Sequence, residues 1–140
     1  MNDVHVRFAT ARDVSMVRSF DRYLAEAILR RKIAAREILL AERDGASIGY
    51  LRLEYLWSIA PYIAMIHVLP AYRRQGTGRA LLSFLESYLR REGHATLYSS
   101  SQADEPEPQA WHRHMGFEEC GIINGINDGG VGEIFFRKRL

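Results

Sequence analysis

The stretch that decides the fold runs from an apolar strand through a glycine-bearing turn into an amphipathic helix. It reads Val68-Leu69-Pro70-Ala71-Tyr72-Arg73-Arg74-Gln75-Gly76-Thr77-Gly78-Arg79-Ala80-Leu81-Leu82. Backbone N–H groups in the first turn of such a helix, together with the helix dipole, form an anion site. Gly76 and Gly78 carry no Cβ, so the backbone can approach a phosphate closely, and Arg73, Arg74 and Arg79 add positive charge. The segment therefore predicts a phosphate-binding loop, although a tight turn that binds nothing has the same spacing.

Two other glycine loops do not fit this segment. A Walker A loop needs Lys followed by Ser or Thr after its last glycine, where this chain has Arg79-Ala80. The dinucleotide-binding pattern needs three glycines, and only Gly76 and Gly78 are present.

The apolar pattern around this loop predicts strands and helices in the order βααβββαβαββ. Strict alternation predicts strands and helical spacing predicts helices, while Asp44-Gly45 is typical of a hairpin turn. The predicted strands are 4–8, 38–42, 48–55, 62–68, 96–99, 117–123 and 133–139, and the predicted helices lie within 10–35, 78–93 and 106–115. This order predicts an α/β (α+β) fold with a mixed central sheet of about seven strands and helices on both faces.

Two segments carry more specific predictions. Segment 62–68 is almost wholly apolar, which is typical of a central strand that is buried on both faces. Segment 99–108 is polar and contains two prolines, so we expect a loop there.

The composition indicates one globular domain, which we place at residues 1–140. Hydrophobic residues make up 47% and charged residues 26% of the chain. The net charge of +2 is too balanced to indicate nucleic acid as a partner. No stretch approaches the ~18 apolar residues of a membrane span, and residues 1–5 lack a basic flank followed by an apolar run. Cys120 is the only cysteine, so no internal disulfide can form and a cytoplasmic location is the default. We expect Cys120 to be a small buried residue.

The loop also carries a family signature. It resembles motif A of the GNAT family of N-acetyltransferases, Gln/Arg-x-x-Gly-x-Gly/Ala, whose fixed positions are filled by Arg73, Gly76 and Gly78. Downstream, Ala110-Trp111-His112-Arg113-His114-Met115-Gly116-Phe117 resembles motif B, in which an alanine and an aromatic residue precede a Gly-Phe pair. Both motifs in this element order are more specific than motif A alone.

This resemblance implies an enzyme that transfers an acetyl group from acetyl-CoA to a primary amine of a small molecule, peptide or protein, without a metal. The alternative is a non-catalytic acyl-CoA-binding module of the same fold. In the family the pyrophosphate lies on the motif A loop and the pantetheine arm beside the fourth strand, with a backbone N–H near its end polarising the thioester carbonyl. The implied coenzyme-binding residues are Ile66, His67, Val68, Arg73, Arg74, Gln75, Gly76, Thr77, Gly78 and Arg79.

Two residues are candidates for proton transfer. Many family members carry a tyrosine as general acid four residues before the motif B glycine, and this chain has His112 there. An unperturbed histidine with a pKa of ~6.5 is mostly neutral at pH 7, so this role requires a raised pKa; otherwise His112 lines the coenzyme pocket. Glu54 is the nearest carboxylate to the fourth strand and is either the base or a surface acid that pairs with Arg52.

The acceptor side of the site is less defined by the resemblance. In the family the acceptor contacts the first two helices, the loop after the third strand and the last strand pair. The residues expected to border the acceptor include Tyr62, Trp57 and the glycine-rich loop 124–130. Trp57 and Tyr55 beside Glu54 would suit a cationic amine, or Trp57 packs in the core. An exposed edge strand would allow a homodimer.

Overall fold

A computed structural model describes residues 3–140. Met1 and Asn2 lie outside the described residues. They belong to segment 1–5, where the sequence predicts no basic flank followed by an apolar run. The strands are β1 (His5–Phe8), β2 (Ile38–Arg43), β3 (Ala46–Leu56), β4 (Ala60–Val68), β5 (Thr96–Gln102), β6 (Glu118–Ile123) and β7 (Glu133–Arg139). The helices are α1 (Val14–Phe20), α2 (Glu26–Ala34), α3 (Thr77–Arg91) and α4 (Pro106–His114), with short 3-10 turns at Ala11–Asp13, Pro70–Tyr72 and Asp128–Gly130.

The strands form one mixed sheet in the order β1-β2-β3-β4-β5-β7-β6. The pairs β1–β2, β2–β3, β5–β7 and β6–β7 are antiparallel, whereas β4 and β5 are parallel. The chain needs a long connection between two parallel strands, and α3 lies in that connection. The predicted element order and the seven-stranded mixed sheet are confirmed.

Two of the more specific sequence predictions are wrong. Ser99–Gln102 do not form a loop but extend β5, where they pair with β7 from Phe136 to Glu133. Polar residues suit this strand because only its alternate positions are buried. β4 is the central strand of the sheet, as predicted, but its segment 65–68 is partly exposed rather than buried on both faces. An apolar run shows that a strand can be buried, but it does not show which elements cover it.

Contacts divide the chain into two units, which we describe separately. The first unit comprises the residues up to Leu53 together with Met65–Ser87, and the second comprises Glu54–Ala64 and Tyr88–Leu140. The single domain at 1–140 stays a prediction.

The core of the first unit lies where α1 and α2 pack on β2 and β3. Its buried members are Ala9, Val14, Val17, Leu29, Ile33, Ile38, Leu40 and Tyr50. Burying these apolar side chains is the main favourable contribution to the stability of this unit.

The core of the second unit lies between α4 and one face of β5 and β7. Its buried members include Leu97, Met115, Phe117, Ile134 and Phe136, with the polar side chains of Ser99, Ser101 and His112 among them. The other face of these strands carries Tyr98, Ser100, Glu133 and Phe135, which are partly exposed.

Two hairpins and one edge strand test further predictions. Asp44 and Gly45 both have positive φ, as expected for the predicted two-residue turn between β2 and β3. Trp57 takes a positive φ in the β3–β4 turn and is 86% exposed, so the expectation that it packs in the core is wrong. The expected burial of Cys120 is also wrong, because it lies on β6, an edge strand with six exposed residues.

Candidate active site

The predicted phosphate loop begins where β4 ends at Val68. The next amide, Leu69 N–H, donates to the carbonyl of Ile48 on β3 at 2.9 Å, and Tyr72 N–H donates to Leu69 O at 2.8 Å. These bonds fold residues 69–72 into a tight turn against β3. The chain then reverses through Arg74 and Gly76, whose φ values are 62° and 86°.

The loop ends at the N-terminus of α3. Ala80 N–H donates to Gly76 O at 2.9 Å, so the amides of Thr77, Gly78 and Arg79 have no carbonyl one turn earlier within the helix. These amides lie at the positive end of the dipole of a 15-residue helix. The hydroxyl oxygen of Thr77 is buried and has no hydrogen-bond partner among residues 3–140.

Two glycines shape the corner between β4 and α3 for different reasons. Gly76 has a φ that favours glycine, and a Cβ there would meet nothing within 4 Å, so the space above it is open. Gly49, on β3, has the opposite surroundings. A Cβ at Gly49 would lie 3.1 Å from Thr77 Cγ2 and 3.2 Å from Leu81 Cδ1. Gly49 therefore lets the first turn of α3 pack directly on the sheet.

Two side chains of the loop, Arg73 and Gln75, brace its shape. Arg73 Nε donates to Val68 O at 3.0 Å, which ties the loop back to the end of β4. Gln75 accepts a hydrogen bond from Arg43 Nη1 at 2.7 Å and donates one to Ala71 O at 3.2 Å. The Gln75 side chain is thus engaged within the protein, and its role in coenzyme binding stays a prediction.

The predicted pantetheine strand is the last part of β4. Ile66, His67 and Val68 are all partly exposed. The His67 ring packs edge-on against Phe20 of α1, with centroids 6.1 Å apart. Partial burial, and then the charge of Arg73, lower the pKa of His67. The His67 side chain thus packs against α1, and its role in coenzyme binding stays a prediction.

His112 is buried in the second unit, only 3% exposed. Its Nδ1 lies 2.7 Å from Pro108 O, and its Nε2 lies 2.7 Å from Ser99 Oγ. Because a carbonyl can only accept, the network assigns the proton to Nδ1, and Nε2 then accepts from Ser99. The ring also stacks on Phe136 at 4.6 Å.

Burial lowers the pKa of His112, and this effect exceeds the raising effects of the Pro108 hydrogen bond and the Glu133 charge. A general acid at neutral pH needs the opposite shift. His112 is therefore a neutral, hydrogen-bonded core residue in this structure, and its role as an acid stays a prediction.

Glu54 lies on β3 and is partly exposed. The residue expected to pair with it, Arg52, forms an ion pair with the buried Asp21, with Nε 2.8 Å from Oδ2. Tyr50 also donates to Asp21 Oδ2, at 2.7 Å. The role of Glu54 as base stays a prediction.

Sequence reasoning missed a polar network on the partly exposed face of the second unit. Ser100 Oγ donates to Glu133 Oε2 at 2.6 Å, and Tyr62 Oη lies 2.6 Å from Ser100 Oγ. Asn127 Nδ2 donates to the other oxygen, Glu133 Oε1, at 2.9 Å. Interpreting 99–108 as a loop concealed this network. A strand there would have placed Ser100 on the same face as Tyr98 by alternation.

The structure thus brings together all the predicted coenzyme residues, 66–68 and 73–79, in the first unit. The two candidates for proton transfer, His112 and Glu54, belong to the second unit. Among residues 3–140, no cluster of three metal-ligating side chains occurs, and no helix there is long and apolar enough to cross a membrane.

Comparisons with known proteins agree with this geometry. The model of the acetyltransferase (GNAT) family matches residues 7–117. The chain belongs to the GNAT family. The match includes the loop, α3 and His112, and the two motifs that carried the resemblance both lie inside it.

Individual relatives match shorter parts of this GNAT chain. It is 32% identical over 89 residues to the aminoglycoside N(6')-acetyltransferase type 1 of Stenotrophomonas maltophilia, covering 58% of each protein. It is 42% identical over 57 residues to the ribosomal protein bS18-alanine N-acetyltransferase of Escherichia coli K12, covering 41% of this chain and 38% of that protein. The chain thus spans 58% and 38% of the lengths of these two curated relatives.

One solved structure agrees over nearly the full length. A Salmonella typhimurium protein, solved with its cofactor acetyl-CoA, superposes with a TM-score of 0.83 at 20% identity, covering 99% of this chain and 94% of that chain. At that identity the superposition shows the fold alone.

Proposed function

We propose that this chain is an N-acetyltransferase that transfers the acetyl group of acetyl-CoA to a primary amine of a small molecule, peptide or protein. The observation that carries the proposal is the corner between β4 and α3. There, first-turn amides, open space at Gly76 and two exposed arginines, Arg73 and Arg74, occur together. The overall reaction converts an amine and the thioester to an acetamide and the free thiol.

The residues of the corner fit a pyrophosphate. Amide N–H groups and guanidinium groups are the donors that phosphate oxygens prefer. The buried hydroxyl of Thr77, which has no hydrogen-bond partner among the described residues, supplies a further donor at the same helix terminus. Gly76 leaves room for the phosphate, and Gly49 fixes the helix that holds the amides.

The named relatives acetylate different kinds of amine, an aminoglycoside and a protein alanine. Each matches only part of this chain, so both classes remain in the proposal. The cytoplasm, the expected compartment for acetyl-CoA chemistry, is part of the same proposal.

Calorimetric titration of acetyl-CoA and free CoA tests the site directly. We expect saturable binding of both to the native protein. In Gly76→Glu, a carboxylate enters the phosphate space, so affinity should fall by at least about 100-fold, equivalent to the loss of two charge-assisted hydrogen bonds.

The matched control is Gly93→Glu. Gly93 also has a positive φ, 88°, and open space around its absent Cβ, but it lies after the C-terminus of α3. It reproduces the backbone strain of Gly76→Glu without touching the loop. Equal affinity in a folded Gly76→Glu protein would contradict the loop assignment.

The alternative, a non-catalytic acyl-CoA-binding module, is favoured by one observation. Burial lowers the pKa of His112, so the position where many family members carry an acid holds a neutral ring. Both functions predict coenzyme binding, and only an N-acetyltransferase releases thiol when an amine is added. Saturable acetyl-CoA binding without thiol release across a panel of small amines and peptides would favour the module.

A further inference from the structure

An open cleft runs along the exposed face of α1 and into the connection between α1 and α2. Its volume is about 530 Å³, and it is lined by Ser15, Arg18, Ser19, Arg22 and Leu24, so it has the size of a small-ligand site. The Ser19 hydroxyl already donates to Met16 O at 2.6 Å. The groups left to donate to a ligand in the cleft are therefore one hydroxyl and two guanidinium groups, those of Ser15, Arg18 and Arg22.

The cleft lies near the strand that is predicted to hold the coenzyme. Phe20, the last residue of α1, packs its ring edge-on against His67 of β4, with centroids 6.1 Å apart. Ser19 directly precedes Phe20, and Arg22 follows it by two residues, so lining residues of the cleft flank this contact. Both α1 and the predicted coenzyme residues at 66–79 belong to the first unit.

Positive charge is concentrated in the segment that contains the cleft. Residues 10–36 carry seven basic and three acidic side chains, whereas the whole chain has a net charge of only +2. The rest of the chain therefore carries more acidic than basic side chains. The excess of basic residues is a property of this segment and not of the protein as a whole.

Two of the three acidic side chains in this segment are paired with arginines that do not line the cleft. Asp13 Oδ2 lies 2.8 Å from Arg7 Nη1. Asp21 is fully buried, and its Oδ2 lies 2.8 Å from Arg52 Nε. Neither carboxylate therefore neutralises an arginine of the cleft.

The third acid, Glu26, neutralises the cleft only in part. Its Oε1 lies 3.0 Å from Arg18 Nη1 and its Oε2 lies 3.0 Å from Arg30 Nε, so two guanidinium groups share one carboxylate. The Arg22 side chain is exposed and has no hydrogen bond or ion pair with any of residues 3–140. The cleft thus presents a guanidinium charge that no acid of the described chain balances.

We propose that this cleft binds a carboxylate of the acceptor, so that the favoured substrate is an amine that also carries a carboxylate. The inference rests on the proposed function and names its substrate class. Arg22 determines the specificity, and Arg18 and the Ser15 hydroxyl assist it. A guanidinium group pairs with a carboxylate through two parallel hydrogen bonds, whereas an acceptor with several positive charges is repelled by the same surface.

The test is calorimetric titration of acceptor probes into the native protein in the presence of saturating CoA. One matched pair is alanine and alaninamide, and the other is the peptides Ala-Glu-Glu-amide and Ala-Gln-Gln-amide. The first pair carries the carboxylate on a small amino acid, and the second carries it on peptide side chains. In at least one pair we expect the carboxylate member to bind about tenfold more tightly, which corresponds to one charge-assisted hydrogen bond.

Variants at Arg22 connect this preference to the cleft. Arg22→Gln should remove the preference, and Arg22→Glu should reverse it, so that the amide member binds more tightly. Arg31→Gln is the matched control. Arg31 is an exposed arginine of α2 in the same basic segment, and it does not line the cleft. The control loses the same charge and should retain the native preference.

The outcomes are distinct. A carboxylate preference that Arg22→Gln removes and Arg31→Gln retains supports the proposal. Equal affinities within both pairs, no binding of any probe, or a preference that survives Arg22→Gln or is lost in Arg31→Gln overturns it. Thiol release with other amines would then leave the acetyltransferase intact. Carboxylate binding that depends on Arg22, without thiol release from any amine, supports the carboxylate cleft and contradicts the proposed function.

Discussion

Ser99 and Ser100 are adjacent residues of β5, but they differ in burial and in hydrogen-bond partner. Ser99 is 1% exposed and donates to the Nε2 of the buried His112. Ser100 faces the other side of β5, is partly exposed, and donates to Glu133. Strand alternation alone separates them. The two residues are the same type, so the difference comes from what packs on each face of β5. The Ser99–His112 hydrogen bond is buried and structural, whereas the Ser100–Glu133 hydrogen bond is partly exposed to solvent.

The phenylalanines of β7 repeat this contrast. Phe136 is fully buried and stacks on His112 with the ring planes 2° apart. Phe135 is partly exposed and stacks on Tyr62. We call the side with His112, Ser99 and Phe136 the covered face, and the side with Glu133, Ser100 and Phe135 the open face.

The largest expected effect on stability comes from Phe136→Ala. Removing a fully buried phenyl ring leaves a cavity and costs about 3–5 kcal/mol of unfolding free energy. Phe135→Ala should cost clearly less, because its ring is already partly in water. Urea unfolding of both variants measures the difference. Equal losses would mean that the two faces are equally covered, and the comparison would fail.

Much of the fold follows from sequence periodicity. The alternation at 4–8 and the leucine spacing of α3 predicted elements that the structure retains, because a strand or helix that buries one face must repeat with its own period. The loop predicted at 99–108 was wrong over Ser99–Gln102, because the serines there alternate between buried and partly exposed positions. Serine has the same hydropathy at buried and at partly exposed positions, so the hydropathy pattern could not indicate a strand there.

The candidate site divides in the same way. The loop at 73–79 could be predicted because it is contiguous and its chemistry lies in backbone amides and glycine positions. Gly49 and Arg43 could not, since each acts on the loop across the sheet, through contacts with Thr77 and Gln75. Glu133 was missed for a similar reason, because it meets Ser100 only through the β5–β7 register.

The next comparison is between Ser99→Ala and Ser100→Ala. Loss of the Ser99 hydroxyl leaves a buried imidazole nitrogen without its donor, which costs about 1–3 kcal/mol. Loss of the Ser100 hydroxyl should cost less, because water can replace it on the open face. Thermal or urea unfolding of the pair measures this. A larger loss in Ser100→Ala would assign the structural role to the open face instead.

The smallest expected effect is a pH dependence of stability that belongs to His112. Its pKa is lowered in the folded protein, so below its ordinary value of about 6.5 the unfolded chain binds more protons than the folded chain. Stability should therefore fall as the pH drops from 6.5 towards 5, by at most about 1.4 kcal/mol per pH unit for one such group. Carboxylates with lowered pKa values, such as Asp13, lose their contribution only at lower pH.

His112→Phe isolates this contribution, because the ring keeps its stacking partner but no longer titrates. We expect a flatter stability profile between pH 5 and 6.5 than in the native protein. His67→Phe is a second comparison rather than a control, because partial burial and the charge of Arg73 also lower the pKa of His67, so its removal should flatten the profile as well. An unchanged slope in His112→Phe would show that His112 is as readily protonated folded as unfolded. The covered face would then be open to protons, and a general acid at His112 would regain its physical basis.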